Sequence, residues 1–160
     1  MGSFSCCGIS GHLCFGKNTL NGALQSTASG TVAIGVQALS SLTTGARNIA
    51  IGYQSSYYNL TGSDNTYLGY WAGSGASGSH SNNVLVGEDA GNDMTTADHN
   101  TAVGYQSMDL ITTLADGNTA VGYQSLHGNI TTQNIDNCVA IGKNTLNGAF
   151  YLTTYINSNS

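Results

Sequence analysis

The stretch Asn118-Thr119-Ala120-Val121-Gly122-Tyr123-Gln124-Ser125-Leu126 decides the fold, because the chain repeats it. One repeat earlier, Asn100-Thr101-Ala102-Val103-Gly104-Tyr105-Gln106-Ser107 stands almost verbatim. Further towards the N-terminus the phrase continues as Asn83-Val84-Leu85-Val86-Gly87, Asn65-Thr66-Tyr67-Leu68-Gly69 and Asn48-Ile49-Ala50-Ile51-Gly52. Thr31-Val32-Ala33-Ile34-Gly35 and His12-Leu13-Cys14-Phe15-Gly16 begin the series, and Cys138-Val139-Ala140-Ile141-Gly142 ends it. Successive glycines are 19, 17, 17, 18, 17, 18 and 20 residues apart. Two-helix repeats need about 33 residues or more, whereas this period fits two short strands and two turns.

Each glycine follows a short run of β-branched or apolar residues, with Gly, Asn, Asp, Ser and Thr on both sides. That is strand-and-turn chemistry. With 22 Gly and no Pro, no pyrrolidine ring interrupts a hydrogen-bonded ladder. The expected fold is therefore all-β: a parallel β-roll, or solenoid, of about eight coils with a 17–20 residue repeat. Eight coils at the strand spacing of about 4.8 Å make a section about 38 Å long. A length of 160 residues suits one domain, divided into a flexible leader at 1–11, the roll at 12–150 and a tail at 151–160.

Two columns run along the strands. The residue before each glycine is large and apolar (Phe15, Ile34, Ile51, Leu68, Val86, Val103, Val121, Ile141) and is expected to fill the interior. Its neighbour then faces the other way. That neighbour is Ala33, Ala50, Ala102, Ala120 and Ala140, with Cys14, Tyr67 and Leu85 as exceptions, so an outward column of small residues predicts an interface with a partner chain. The other reading puts both strand faces inside one broad coil. The Tyr-Gln-Ser phrases are expected to stack as structural columns, and the variable segments between repeats to form loops on one face.

Charge excludes several functions. Lys17, Arg47 and Lys143 are the only Lys or Arg against eight Asp or Glu, so no cationic stripe is available for phosphates and nucleic acid is not an expected partner. No apolar run approaches the roughly 20 residues of a spanning helix, and no membrane insertion is expected. Met1-Gly2-Ser3-Phe4-Ser5-Cys6 misses the lipidation pattern, with Cys6 in place of Ser or Thr. Cys6, Cys7, Cys14 and Cys138 lack metal-ligand spacing and are expected as free thiols, which argues for assembly in a reducing compartment. No nucleophile motif, phosphate loop or paired carboxylates stand out, so catalytic residues, cofactors and metal sites are all expected to be none, and the protein is not expected to be an enzyme. Asp98-His99 with Glu88, Asp89 and Asp93, and His12 near a shared axis, are the weak ion candidates. Tyr57, Tyr58, Tyr70 and Trp71 are the candidate ligand-binding residues, offering flat apolar faces with polar tips to sugars or proteins. For Tyr70 and Trp71 the competing reading is that they replace a Tyr-Gln pair and pack along the roll. The sequons at Asn59 and Asn129 predict surface turns.

The recurring Asn-Thr-Ala-Val-Gly-Tyr-Gln-Ser phrase resembles the head repeats of trimeric autotransporter adhesins and the related β-roll heads of phage and giant-virus fibres, over about residues 12–150. The resemblance implies a left-handed roll, a side-by-side homotrimer with the Asn-x-Ala-Ile/Val-Gly strand at its centre, and a role in attachment. His12, Thr31 and Cys138 depart from the leading Asn, and Tyr67 and Leu85 from the small-residue column. The expected function is a non-enzymatic head of a viral fibre on the virion surface, binding a host surface glycan or protein. The head of a bacterial adhesin on the cell surface is the alternative, and an ice-binding or structural β-solenoid is the reading from another class. Neither a stalk nor a barrel accompanies the repeats, so the chain is expected to be a head alone or part of something longer.

Overall fold

A computed structural model of the protein describes residues 11–22, 28–75, 78–111, 115–128 and 135–148. Eight strands follow one another: β1 (His12–Phe15), β2 (Thr31–Ile34), β3 (Ile49–Ile51), β4 (Thr66–Leu68), β5 (Val84–Val86), β6 (Thr101–Val103), β7 (Thr119–Val121) and β8 (Val139–Ile141). They form one parallel sheet in chain order, so each repeat lies directly on the one before it. The register joins like to like: Ala33 pairs with Ala50, Ala102 with Ala120 and Val103 with Val121. The protein is a β-solenoid, and no helix occurs among the described residues. Residues 1–10 of the expected leader, the tail from 151 and the sequon at Asn129 lie outside them.

Among the described residues only one strand forms per repeat, not two. After each glycine the chain turns through left-handed backbone at alternate residues, as at Gln54 (φ 50°) and Ser56 (φ 54°), and at Gln124 and Leu126 (both φ 50°). Each such residue costs about 1–2 kcal/mol. What holds them is hydrogen bonding between coils in both directions: Gln124 N–H donates to Tyr105 O at 2.9 Å, and Met108 N–H to Ser125 O at 3.0 Å.

The interior is the reverse of the expected one. Ala33, Ala50, Ala102 and Ala120 are 0% exposed and Ala140 is 2% exposed, all enclosed by the chain's own coil. They are not available to face a partner. The residues expected inside point outward instead, with Phe15 at 62% and Ile141 at 65% exposed. Volume is the reason. Opposite the alanine column stand Leu39, Met108 and Leu126, also buried, and Ala plus one long side chain fills so narrow a coil.

The exceptions obey the same rule. Tyr67 and Leu85 are buried in the alanine column, and the residues six positions after them are Gly73 and Gly91, where the other coils carry Leu or Met except the β3 coil, which has the buried Ser56. A Cβ on Gly73 would lie 2.4 Å from the Tyr67 ring, and one on Gly91 2.8 Å from Leu85 Cδ1. Bulk has moved from one wall to the other.

A buried column of asparagines runs beside the strands. Asn48, Asn65, Asn83 and Asn100 each accept, through Oδ1, the backbone N–H of the next Asn, and Asn118 accepts that of Cys138, at 2.8–3.0 Å. Their Nδ2 groups donate to Gly62, His80, Ala97, Ala115 and Ile135 carbonyls at 2.6–3.0 Å. Both ends of each amide are thus satisfied where water does not reach. At the head of the column Thr31 has a buried Oγ1 with no hydrogen-bond partner among the described residues.

Candidate functional site

The corner after each glycine carries the Tyr and Gln columns. Tyr53 stacks on Tyr70 with centroids 5.2 Å apart, and Tyr105 on Tyr123 at 5.3 Å. Gln54 donates to Gln37 at 2.8 Å and Gln124 to Gln106 at 2.7 Å. Trp71 occupies the next Gln place, and its indole N–H donates to Gln54 Oε1 at 2.6 Å, keeping the ladder in a different chemistry. Tyr70 stacks on Trp71 at 5.3 Å. Tyr70 and Trp71 therefore do replace a Tyr-Gln pair, and Trp71 does more.

Just past this corner, three consecutive coils differ in bulk. Five and six residues beyond Gly52 stand Tyr57 and Tyr58; at the same places beyond Gly69 stand Ser74 and Gly75, and beyond Gly87, Asn92 and Asp93. Large residues flank small ones, and the result is a groove of about 280 Å³. Tyr57, Tyr58 and Trp71 supply its aromatic surface, while Gln54, Ser74, Asn92 and Asp93 supply polar groups. Tyr57 and Tyr58 meet edge to face at 4.5 Å, fixing each other's rings. Tyr58 is 45% and Trp71 37% exposed. Three of the four aromatics named from sequence converge here; Tyr70 supports Trp71 and does not line the groove. Gln54 and Asn92 were missed as site residues and Asp93 was named only as part of an ion candidate, although reading the repeats as columns would have placed all three here.

The surroundings are acidic. Burial, and after it the charge of Glu88, raises the Asp89 carboxyl, with Asp93 adding to the effect. Burial also pushes Asp109 up to about 6, with the Asp93 and Asp89 charges contributing and His127, 3.9 Å away, opposing. None of the three cations, Lys17, Arg47 and Lys143, lines the groove; Arg47 holds Asp64 through two hydrogen bonds of 2.5 and 2.6 Å, and Lys143 lies over the Tyr123 ring.

The other sites named from sequence resolve into structure. Asp98 Oδ1 accepts Ser81 N–H at 2.6 Å, Asp116 accepts Asp98 N–H at 2.7 Å and Asp136 accepts Asp116 N–H at 3.0 Å, so these carboxylates cap successive turns. His12 Nε2 is engaged by Ala28 O at 3.2 Å. Among the described residues no group of three or more His, Cys, Asp or Glu is arranged to hold a metal. Asn59 is 1% exposed and bonded to Gly62 N–H and the Tyr67 hydroxyl, so this sequon does not mark a surface side chain. Cys138 is a free thiol, but Cys14 is disulfide-bonded, which corrects the expectation of free thiols and removes the argument for a reducing compartment. Comparison with known proteins found no matching family model, no matching curated protein and no matching solved structure.

Proposed function

We propose that the protein is a non-enzymatic attachment module, the head of a viral fibre, in which three left-handed rolls stand side by side and present their corners to a host surface glycan or protein. The observation that carries this is the outer face of the sheet. One column of it reads Leu13, Val32, Ile49, Thr66, Val84, Thr101, Thr119 and Val139, and the other Phe15, Ile34, Ile51, Leu68, Val86, Val103, Val121 and Ile141. Neither column contains a charge. Parallel sheets are normally covered on both faces, and an uncharged, mostly apolar strip of this length, broken only by Thr66, Thr101 and Thr119, marks an interaction surface. A copy of the same chain is the occupant that fits, because its face repeats with the same period and matches coil for coil. Three is the number that the resemblance to fibre and adhesin heads implies. Copies held together in this way present several identical corners, so weak contacts reinforce one another. Placement on a virion surface follows from the fibre reading, with a bacterial cell surface as its counterpart for an adhesin head.

Light scattering after size exclusion tests the assembly. Three times the 16.4 kDa chain mass, about 49 kDa, is the expected species. Ile51→Lys together with Val86→Lys puts charges on the face and is expected to yield folded monomers. A wild-type monomer would refute the shared face and leave a capped structural solenoid as the better reading.

A further inference from the structure

The groove at the corner of the β3, β4 and β5 coils has the chemistry to choose among ligands. We infer that it binds an uncharged pyranose ring of a glycan, held between Tyr57, Tyr58 and Trp71 on one side and Asn92 and Asp93 on the other; this rests on the attachment reading above and names its ligand class.

Size is the first argument. At about 280 Å³ the groove falls just below the roughly 300–1,000 Å³ of sites for drug-sized ligands, which suits one or two sugar rings. Shape is the second. The floor of Ser74 and Gly75 is made by small residues between larger neighbours, and a side chain on Gly75 would meet the backbone, with its Cβ 2.3 Å from Met94 O and 2.6 Å from Asn92 O. The notch is therefore part of the coil's construction. Chemistry is the third. A pyranose has an apolar face of C–H groups and a rim of hydroxyls; exposed aromatic rings suit the face, and the Asn92 amide and the Asp93 carboxylate suit the rim.

Charge then decides which glycans. No Lys or Arg lines the groove, and Asp93 is accompanied by Glu88, Asp89 and Asp109. A sialylated or sulfated sugar would bring its anion to a site with no cation to receive it. The same surface disfavours a protein partner. A stable protein interface needs on the order of 1,000 Å² around an apolar centre, whereas this groove is narrow and polar along one side.

Trp71 is the only tryptophan in the chain, so its fluorescence reports directly on the groove. Methyl glycosides of neutral hexoses are expected to shift its emission saturably, while the methyl glycoside of N-acetylneuraminic acid leaves it unchanged. Tyr58→Ala, at an exposed position, is expected to weaken the response at least tenfold without changing the circular dichroism; Asn92→Ala serves if that variant misfolds. An equal or stronger response to the N-acetylneuraminic acid glycoside would overturn the inference. So would silence across neutral mono- and disaccharides by a protein that still trimerises and binds cells, and in that case the attachment reading would stand. Cell binding abolished by protease treatment of the cells and resistant to glycosidases would identify a protein receptor and overturn the glycan assignment. Failure to trimerise and to bind cells, together with silence towards sugars, would remove both readings.

Discussion

Leu85→Ala and Gly91→Met should each damage the roll and together largely repair it. Leu85 is fully buried in the alanine column of β5, facing Gly91 across the coil. In the next coil the same two places hold Ala102 and Met108, and Met108 has the left-handed φ of 56° that Gly91 has at 59°. Truncating Leu85 removes three carbons, roughly 2.4 kcal/mol at about 0.8 kcal/mol each. The cavity left behind raises the loss to about 3–4 kcal/mol. Adding a side chain at Gly91 puts its Cβ 2.8 Å from Leu85 Cδ1 and 2.7 Å from Met94 Sδ. Overpacking costs about 1–3 kcal/mol, and the left-handed conformation about 1–2 more. In the double variant the methionine enters the space that the leucine vacated, leaving the conformational cost and a shift of the flexible Met94 thioether. The expected coupling is about 3 kcal/mol or more, measured as a double-mutant cycle from guanidinium denaturation followed by far-ultraviolet circular dichroism. Additive losses, within about 0.5 kcal/mol, would refute the exchange of bulk between the two walls.

Two further predictions separate effects that usually come together. Gly104→Ala combines a φ of +134° with a Cβ 2.5 Å from Gly122 O, whereas Gly142→Ala has a φ of +123° and meets, among the described residues, only Thr145 Cγ2 at 3.4 Å. Both carry backbone strain of about 1–3 kcal/mol, but only Gly104→Ala also pushes coils apart and weakens the flanking bonds from Gly104 N–H to Val86 O and from Gly122 N–H to Val103 O. Its melting temperature should fall clearly further, and equal falls would contradict the close approach. The second concerns pH. Burial holds His80 down at about 4 from 6.5, its Nδ1 2.7 Å from the Tyr67 hydroxyl, so the unfolded chain takes up this proton first. About 3 kcal/mol of stability is then lost as pH falls from 6.5 to 4. Asp109, pushed up to about 6, acts in the opposite sense: its contribution is complete below the ordinary carboxylate value and is lost as pH rises through 6. Denaturation of Asp109→Asn should therefore show stability falling between pH 6.5 and 4, and that of His80→Asn should show it rising below pH 6. Parallel slopes in the two variants would contradict these assignments.

The eight strands, their parallel order and the Tyr and Gln columns were legible in the sequence, because each rests on a residue recurring at a fixed interval. The direction of the strands' two faces was not. A three-residue strand such as Ile49-Ala50-Ile51 is apolar on both sides, so alternation cannot distinguish inside from outside; volume does. The signal existed in the pairs Tyr67 with Gly73 and Leu85 with Gly91, where a large residue in one column coincides with a missing side chain in the other. The left-handed corners were hidden because Gln, Ser, Leu and Trp occupy conformations usually left to glycine, held there by hydrogen bonds to adjacent coils that no local pattern displays. The groove was half legible. Its aromatics were conspicuous, but Asn92 and Asp93 acquire meaning only when stacked beside Ser74, Gly75, Tyr57 and Tyr58.

The asparagine column makes length a discrete property of this protein. Each amide receives its bonds from one neighbour and hands an equivalent set to the next, so one internal coil can stand in for another at the same joint. Adding or deleting a few residues within a strand would put that coil's asparagine out of step with the next and break the joint between them. Adding or deleting a whole repeat would leave each joint as before and change the height of the stack by one strand spacing, about 4.8 Å. A lineage built in this way lengthens or shortens by copying and losing complete units. A rare change in one unit, such as the Trp71 coil, then becomes a landmark at one height on an otherwise uniform column.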